Sequence, residues 1–128
     1  MLIAGLGCRR GCTASELREL LEQTLERLAL PLSALHGLAS SAHKHEEPGL
    51  LQLAAELNLS LEFYAAERLA LYESRLSEGS ESVRQLTGAA SVAEASALAC
   101  ASERAGRPAI LVCAKRRSAV ATLAIARA

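Results

Sequence analysis

A chain of 128 residues with 51% apolar side chains is sized for a single domain, residues 1–128, and can bury roughly two-thirds of its surface, which excludes an intrinsically disordered protein. Fourteen basic and fourteen acidic residues cancel, so the basic excess of a nucleic-acid or membrane-surface binder is missing. Three aromatic residues, Phe63, Tyr64 and Tyr72, are too few for the stacking platforms on which single-stranded nucleic acid sits.

Leu2 to Leu6 is a short apolar run ending in Gly5-Leu6-Gly7, which predicts a buried strand that stops at a glycine turn. The run is too short for a signal peptide, and no stretch reaches the ~18 apolar residues of a membrane span, so a cytoplasmic protein is expected. Thr13 followed by Glu16 is a capping-box pattern, with Ser15 a competing cap. Leu17, Leu20, Leu21, Leu25 and Leu28 then recur at helical spacing, and Pro31 closes the helix. His36 to Ser40 is a second strand, followed by a polar loop from Ser41 to Glu47. Pro48 starts a helix whose apolar face is Leu50, Leu51, Leu53, Ala54 and Leu57.

Leu59 to Tyr64 is a third strand, and Ala66 to Leu76 supplies a helical turn or two before a loop at Ser77–Ser80. Ser82 to Leu86 is a further short helix, broken at Gly88. Ser91 with Glu94 repeats the capping-box pattern and predicts a helix to about Ala105, ended by Gly106-Arg107-Pro108. Ala109 to Cys113 is a strand, Lys115 to Ser118 a turn and Ala119 to Ala126 a last strand, a connection that suits an antiparallel hairpin. The order predicts an α/β fold: three layers, α/β/α, around a mixed, mostly parallel sheet of about five strands ending in an antiparallel hairpin.

The segment Gly5 to Thr13, lying between a strand and a helix, is where an α/β sheet places ligands. Glycines allow close backbone approach, the helix end offers unpaired N–H groups, and Arg9 and Arg10 add forked donors for carboxylates. The loop suits an anion, although a tight turn with two solvated arginines fits the same residues. A dinucleotide loop would need glycine in place of Arg10, and a phosphate-binding P-loop would need a closing Gly-Lys-Ser/Thr. Lys44 and Glu47, in the loop after the second strand, should flank this one, and Lys115-Arg116-Arg117 adds charge at the last hairpin.

Cys8, Cys12, Cys100 and Cys113 are expected to be reduced thiols in a chain without a secretory signal. Cys8 and Cys12 lack zinc-knuckle spacing, so neither a metal nor a cofactor is expected, with a Cys/His site involving His43 or His45 as the alternative. The two arginines are expected to lower the pKa of Cys8, which leaves open a catalytic thiol with His43 or His45 as its base.

These features together resemble one family. Gly5-x-Gly7-Cys8-Arg9-Arg10-Gly11-x-Thr13 is similar to the GxGCRRGx(S/T) opening of the CobE/CbiG C-terminal family of cobalamin (vitamin B12) biosynthesis. Ser40, Lys44, Glu47, Gly49 and Leu50 resemble its second motif, Gly88-x-x-Ser91-Val92-x-Glu94-Ala95-x-Ala97 its later helix start, and Lys115 with Val120-x-Thr122-x-Ala124-Ile125-Ala126 its closing strand. The likeness runs the length of the chain, while Cys12 and Arg117-Ser118-Ala119 depart from it.

The resemblance implies a role in corrin-ring synthesis. CbiG proteins are cobalt-precorrin-5A hydrolases, which open a ring lactone and release acetaldehyde. This chain lacks their N-terminal part, so whether it is an enzyme stays open. The expected ligand is a precorrin-type tetrapyrrole fringed with carboxylates, with another enzyme of the pathway as a possible partner and neither nucleic acid nor membrane bound. The substrate-binding residues implied are Gly7, Cys8, Arg9, Arg10, Gly11, Thr13, Ser40, Lys44, Glu47, Ser91, Glu94 and Lys115.

Overall fold

Strand β1, Leu2–Cys8, alternates its side chains between two packed layers. The computed structural model describes residues 1–72 and 88–128, except for the side chains of 88–91. The expected loop at Ser77–Ser80 and short helix at Ser82–Leu86 lie outside the described residues, as does the expected continuation of the third helix to Leu76. After β1 come α1 (Ala14–Arg27), β2 (Gly37–Ser41), α2 (Pro48–Leu57), β3 (Leu61–Tyr64) and α3 (Ala66–Ala70). The chain ends with α4 (Gly88–Ala105), β4 (Ile110–Arg117) and β5 (Ala121–Arg127).

The five strands lie in the order β3-β2-β1-β5-β4. β1 pairs parallel with β2 and β2 with β3, while β5 runs antiparallel to both β1 and β4. Four strands therefore share one direction, and the chain closes in an antiparallel hairpin, the mixed α/β architecture expected from the sequence.

On one face Leu2, Ala4 and Leu6 of β1 join Leu38, Leu123 and Ile125 beneath Leu17, Leu21 and Leu25 of α1 and Leu50 and Leu53 of α2. On the other face Ile3, Ala39 and Ala126 meet Leu69 of α3 and the small residues of α4. Every residue of α4 from Ala93 to Ala101 is buried. The helix lies so close that a Cβ on Gly5 would sit 1.9 Å from the Ala93 carbonyl oxygen. No helix among the described residues is long and apolar enough to cross a membrane.

Local signals placed most boundaries well. Thr13 and Glu16 form the full reciprocal capping box, and Pro48 occupies the first turn of α2. Two expectations need correction. Helix α4 begins at Gly88, so Ser91 lies within its N-terminal turns and does not cap it. The Gly88-Ala89-Ala90 lead contains good helix formers, and the carboxylate of Glu94 is engaged elsewhere, as described below. Lys115, Arg116 and Arg117 belong to β4 instead of a turn, with Arg116 opposite Leu123 and Arg117 opposite Thr122. The reversal falls at Ser118, whose N–H donates to the Ala121 carbonyl (2.9 Å) and whose hydroxyl accepts from the N–H groups of Val120 and Ala121. An edge strand accommodates such charged side chains, because one of its sides faces water.

Candidate functional site

The carboxyl ends of β1, β2 and β4 open toward one end of the sheet. Helices α1 and α2 begin there, and so does α4, whose Glu94 reaches Lys115 while Arg104, near its far end, reaches the His36 carbonyl at the start of β2. This is the location at which open α/β sheets bind ligands.

The loop after β1 is tied down at each step. The Arg9 N–H donates to the Val120 carbonyl (2.8 Å), which fixes the loop against the β4–β5 hairpin. The Cys12 N–H donates back to the Arg9 carbonyl (3.1 Å), a tight turn that returns Cys12 beside Cys8. Gly11, at φ +84°, donates its N–H to Glu47 Oε1 at 2.7 Å and so joins this loop to the one after β2. The Glu47 N–H in turn donates to the Lys44 carbonyl (2.9 Å), which closes the short turn Ala42–Lys44. Helix α2 starts hard against the first loop: a Cβ on Gly49 would lie 2.3 Å from the Cys12 carbonyl oxygen.

Arg9 and Arg10 are exposed, and Lys44 is half-buried beside the thiols. Burial pushes the Cys8 thiol up to about 12, its hydrogen bond to Cys12 adds to the rise, and Lys44 opposes it. Burial likewise raises Cys12, which Glu47 and Glu16 reinforce, while the hydrogen bond from Cys8 and the charge of Lys44 pull it down. The expected lowering of Cys8 by its neighbouring arginines is therefore reversed, because their exposed guanidinium groups do not offset the desolvation of the thiol. His43 and His45 are also exposed. The ring of His45 contacts the Ala42 carbonyl (2.8 Å) and stands edge-on to Phe63. Neither histidine joins the three-residue group of potential metal ligands formed by Cys8, Cys12 and Glu47.

The remaining expected residues divide between tie points and a second cluster. Thr13 caps α1, and the buried Ser40 hydroxyl donates to the Leu6 carbonyl (2.6 Å), locking the ends of β1 and β2 together. Gly7 is buried opposite Thr122. On the α4 side Glu94, 2% exposed, accepts the Lys115 N–H at 2.8 Å. The side chain of Ser91 lies outside the described residues. Cys8, Gly11, Lys44 and Glu47 thus gather on the α1/α2 side of the strand ends, with Glu94 and Lys115 on the α4 side.

Two residues outside the expected set also belong here. Cys12 completes the thiol pair, and its only signal in the sequence was its place in the loop. The hydroxyl oxygen of Thr122 is buried with no hydrogen-bond partner among the described residues. A polar residue in an otherwise apolar last strand was the signal for it.

Comparison with known proteins places this arrangement. Residues 2–126 match the family described as Cobalamin synthesis G C-terminus. Protein CobE of Sinorhizobium is 38% identical over 125 residues, covering 98% of this chain and 79% of that protein. The cobalt-precorrin-5A hydrolase of Priestia megaterium is 30% identical over 98 residues, 77% of this chain but 26% of the hydrolase. The crystal structure of CobE, a protein from the cobalamin biosynthetic pathway, superposes with a TM-score of 0.91 at 47% identity, covering 100% of this chain and 93% of that one. Cobalamin biosynthesis protein chiG from Agrobacterium tumefaciens superposes at 0.75 with 29% identity, covering 99% and 98%. With this fold, these motifs and these relatives, the chain belongs to the Cobalamin synthesis G C-terminus family and is a cobalamin biosynthesis protein with the architecture of CobE and the CbiG C-terminal domain.

Proposed function

We propose that this protein binds a precorrin-type, polycarboxylated tetrapyrrole in the cytoplasm and serves as a carrier or accessory factor for the enzymes that act on it. The observation that carries this reading is the pinned loop Cys8–Thr13, which presents exposed Arg9 and Arg10 at the strand ends of a cobalamin-pathway protein. Lys44 and Lys115, on the neighbouring strand ends, extend the basic rim that would read the ring's acetate and propionate groups. Each well-formed charge-assisted contact contributes about 1.5–3 kcal/mol, and contacts left open to water contribute less.

A hydrolase-type reaction is the weaker reading for this chain alone. It spans about a quarter of the cobalt-precorrin-5A hydrolases it matches, burial raises the pKa of its Cys8 thiol, and neither His43 nor His45 joins the group that Cys8 forms with Cys12 and Glu47. That same quarter-length match favours a second reading, in which the domain docks onto another pathway enzyme.

Absorbance titration with a carboxylated corrinoid tests the proposal. The expected result is a saturable shift of the macrocycle band, weakened by salt and by Arg9→Ala with Arg10→Ala. An unshifted band at all concentrations would overturn it, and co-migration with a pathway enzyme in gel filtration would then favour docking.

A further inference from the structure

The basic rim of Arg9, Arg10, Lys44 and Lys115 leaves the thiol pair, and the glutamate that closes on it, free for other chemistry. One potential ligand atom from each of Cys8, Cys12 and Glu47 lies within 4.8 Å of the other two. A tetrahedral zinc-type ion with bonds of about 2.0–2.3 Å sets its ligand atoms roughly 3.5 Å apart, so a shift of about an ångström closes the group around an ion. Three residues separate Cys8 from Cys12, a spacing that zinc-binding cysteine pairs use, but no second Cys or His pair of that kind follows it in sequence, because the third donor arrives from the start of α2.

We propose that Cys8, Cys12 and Glu47 form a site for a thiophilic divalent cation of the zinc class, bound by two thiolates and one carboxylate oxygen. The scaffold around the three donors is already fixed. The Cys12 N–H holds the turn on the Arg9 carbonyl, and the Gly11 N–H orients Glu47 through Oε1, the kind of outer contact that positions metal ligands. Binding forms two metal–sulfur bonds and one metal–oxygen bond, and releases one proton from each thiol to solvent. A divalent ion with two thiolates and a carboxylate carries one net negative charge, which Lys44, close enough to act on both thiols, balances. Three protein ligands leave the fourth tetrahedral position for water or for a carboxylate of a bound molecule.

Cobalt(II) titration of the phosphine-reduced protein reads the site directly, and no tetrapyrrole is needed. The expected result is a saturable sulfur-to-cobalt charge-transfer band at one equivalent, displaced by zinc and lost in Cys8→Ser and in Cys12→Ser. Glu47→Gln should keep that band and shift the ligand-field bands. Because Cys12 is buried and its variant is at risk of not folding, zinc protection of the unaltered chain is measured alongside. Zinc should slow alkylation of Cys8 and Cys12 and leave Cys113 unchanged. No saturable band, a band that survives both serine substitutions, or equal alkylation with and without zinc would each overturn the site.

Discussion

The two faces of the sheet are built from alternate residues of one strand, yet they hold their helices in different ways. Leu2, Ala4 and Leu6 point into a layer of leucines from α1 and α2, where each fully buried side chain contributes about 1.5–3 kcal/mol. Ile3 and Gly5 point the other way, where a Cβ at Gly5 would lie 1.9 Å from the Ala93 carbonyl oxygen and 2.7 Å from the Ala97 nitrogen. Side-chain volume sets the helix distance on the leucine face, and backbone contact sets it on the alanine face. Volume can be redistributed among neighbouring side chains, but backbone contact cannot. The alanine face therefore holds Glu94 against Lys115 with little play.

The largest effect should come from breaking that contact. Gly5→Ala forces α4 off the sheet and should cost on the order of 3 kcal/mol or more in urea unfolding, at the upper end of overpacking penalties. The companion change Ala93→Gly should not restore stability, because the obstacle is a backbone oxygen that glycine keeps. Recovery in the double variant would mean that side chains set the spacing, and the contrast between the faces would fail.

What the sequence revealed follows from how local each signal was. The leucine period of α1 and its Thr13–Glu16 box are complete within neighbouring turns, so they read correctly. Ser91 and Glu94 carry the same local pattern but mislead, since the carboxylate of Glu94 is taken by an amide 21 residues further on. Lys115 to Arg117 read as a turn because their charge suggested exposure, and an edge strand satisfies exposure equally well. The family motifs pointed to the loop ends, yet the meeting of Cys8, Cys12 and Glu47 depends on α2 docking at Gly49 against the Cys12 carbonyl. No spacing rule contains that contact.

The next effect sharpens the comparison on the alanine face. Glu94→Ala removes the carboxylate that accepts the Lys115 N–H and should cost about 1–3 kcal/mol in the same unfolding measurement. Glu94→Gln retains an acceptor oxygen for that N–H and should cost less. Equal losses for the two variants would show that the negative charge of Glu94, and not its hydrogen bond, supports β4.

The smallest effect compares a half-buried thiol on the leucine face with a buried one on the alanine face. Cys8 abuts the leucine layer, and Cys100 lies in the alanine layer, where burial also raises it despite its hydrogen bond to Tyr64. An unfolded cysteine ionises near 9.0, whereas folded Cys8 keeps its proton to about 12. Between those values the folded state holds a proton that the unfolded state has released, so stability must fall as pH rises. The contribution of Cys8 is fully present below about pH 9 and disappears by about pH 12. With a chelator present, Cys8→Ser should flatten the alkaline decline in the urea midpoint relative to the unaltered chain. Cys100→Ala should flatten it too, through the other face. If Cys8→Ser left the slope unchanged while Cys100→Ala reduced it, the strand end on the leucine face would be open to water, and the desolvation that raises Cys8 would be absent.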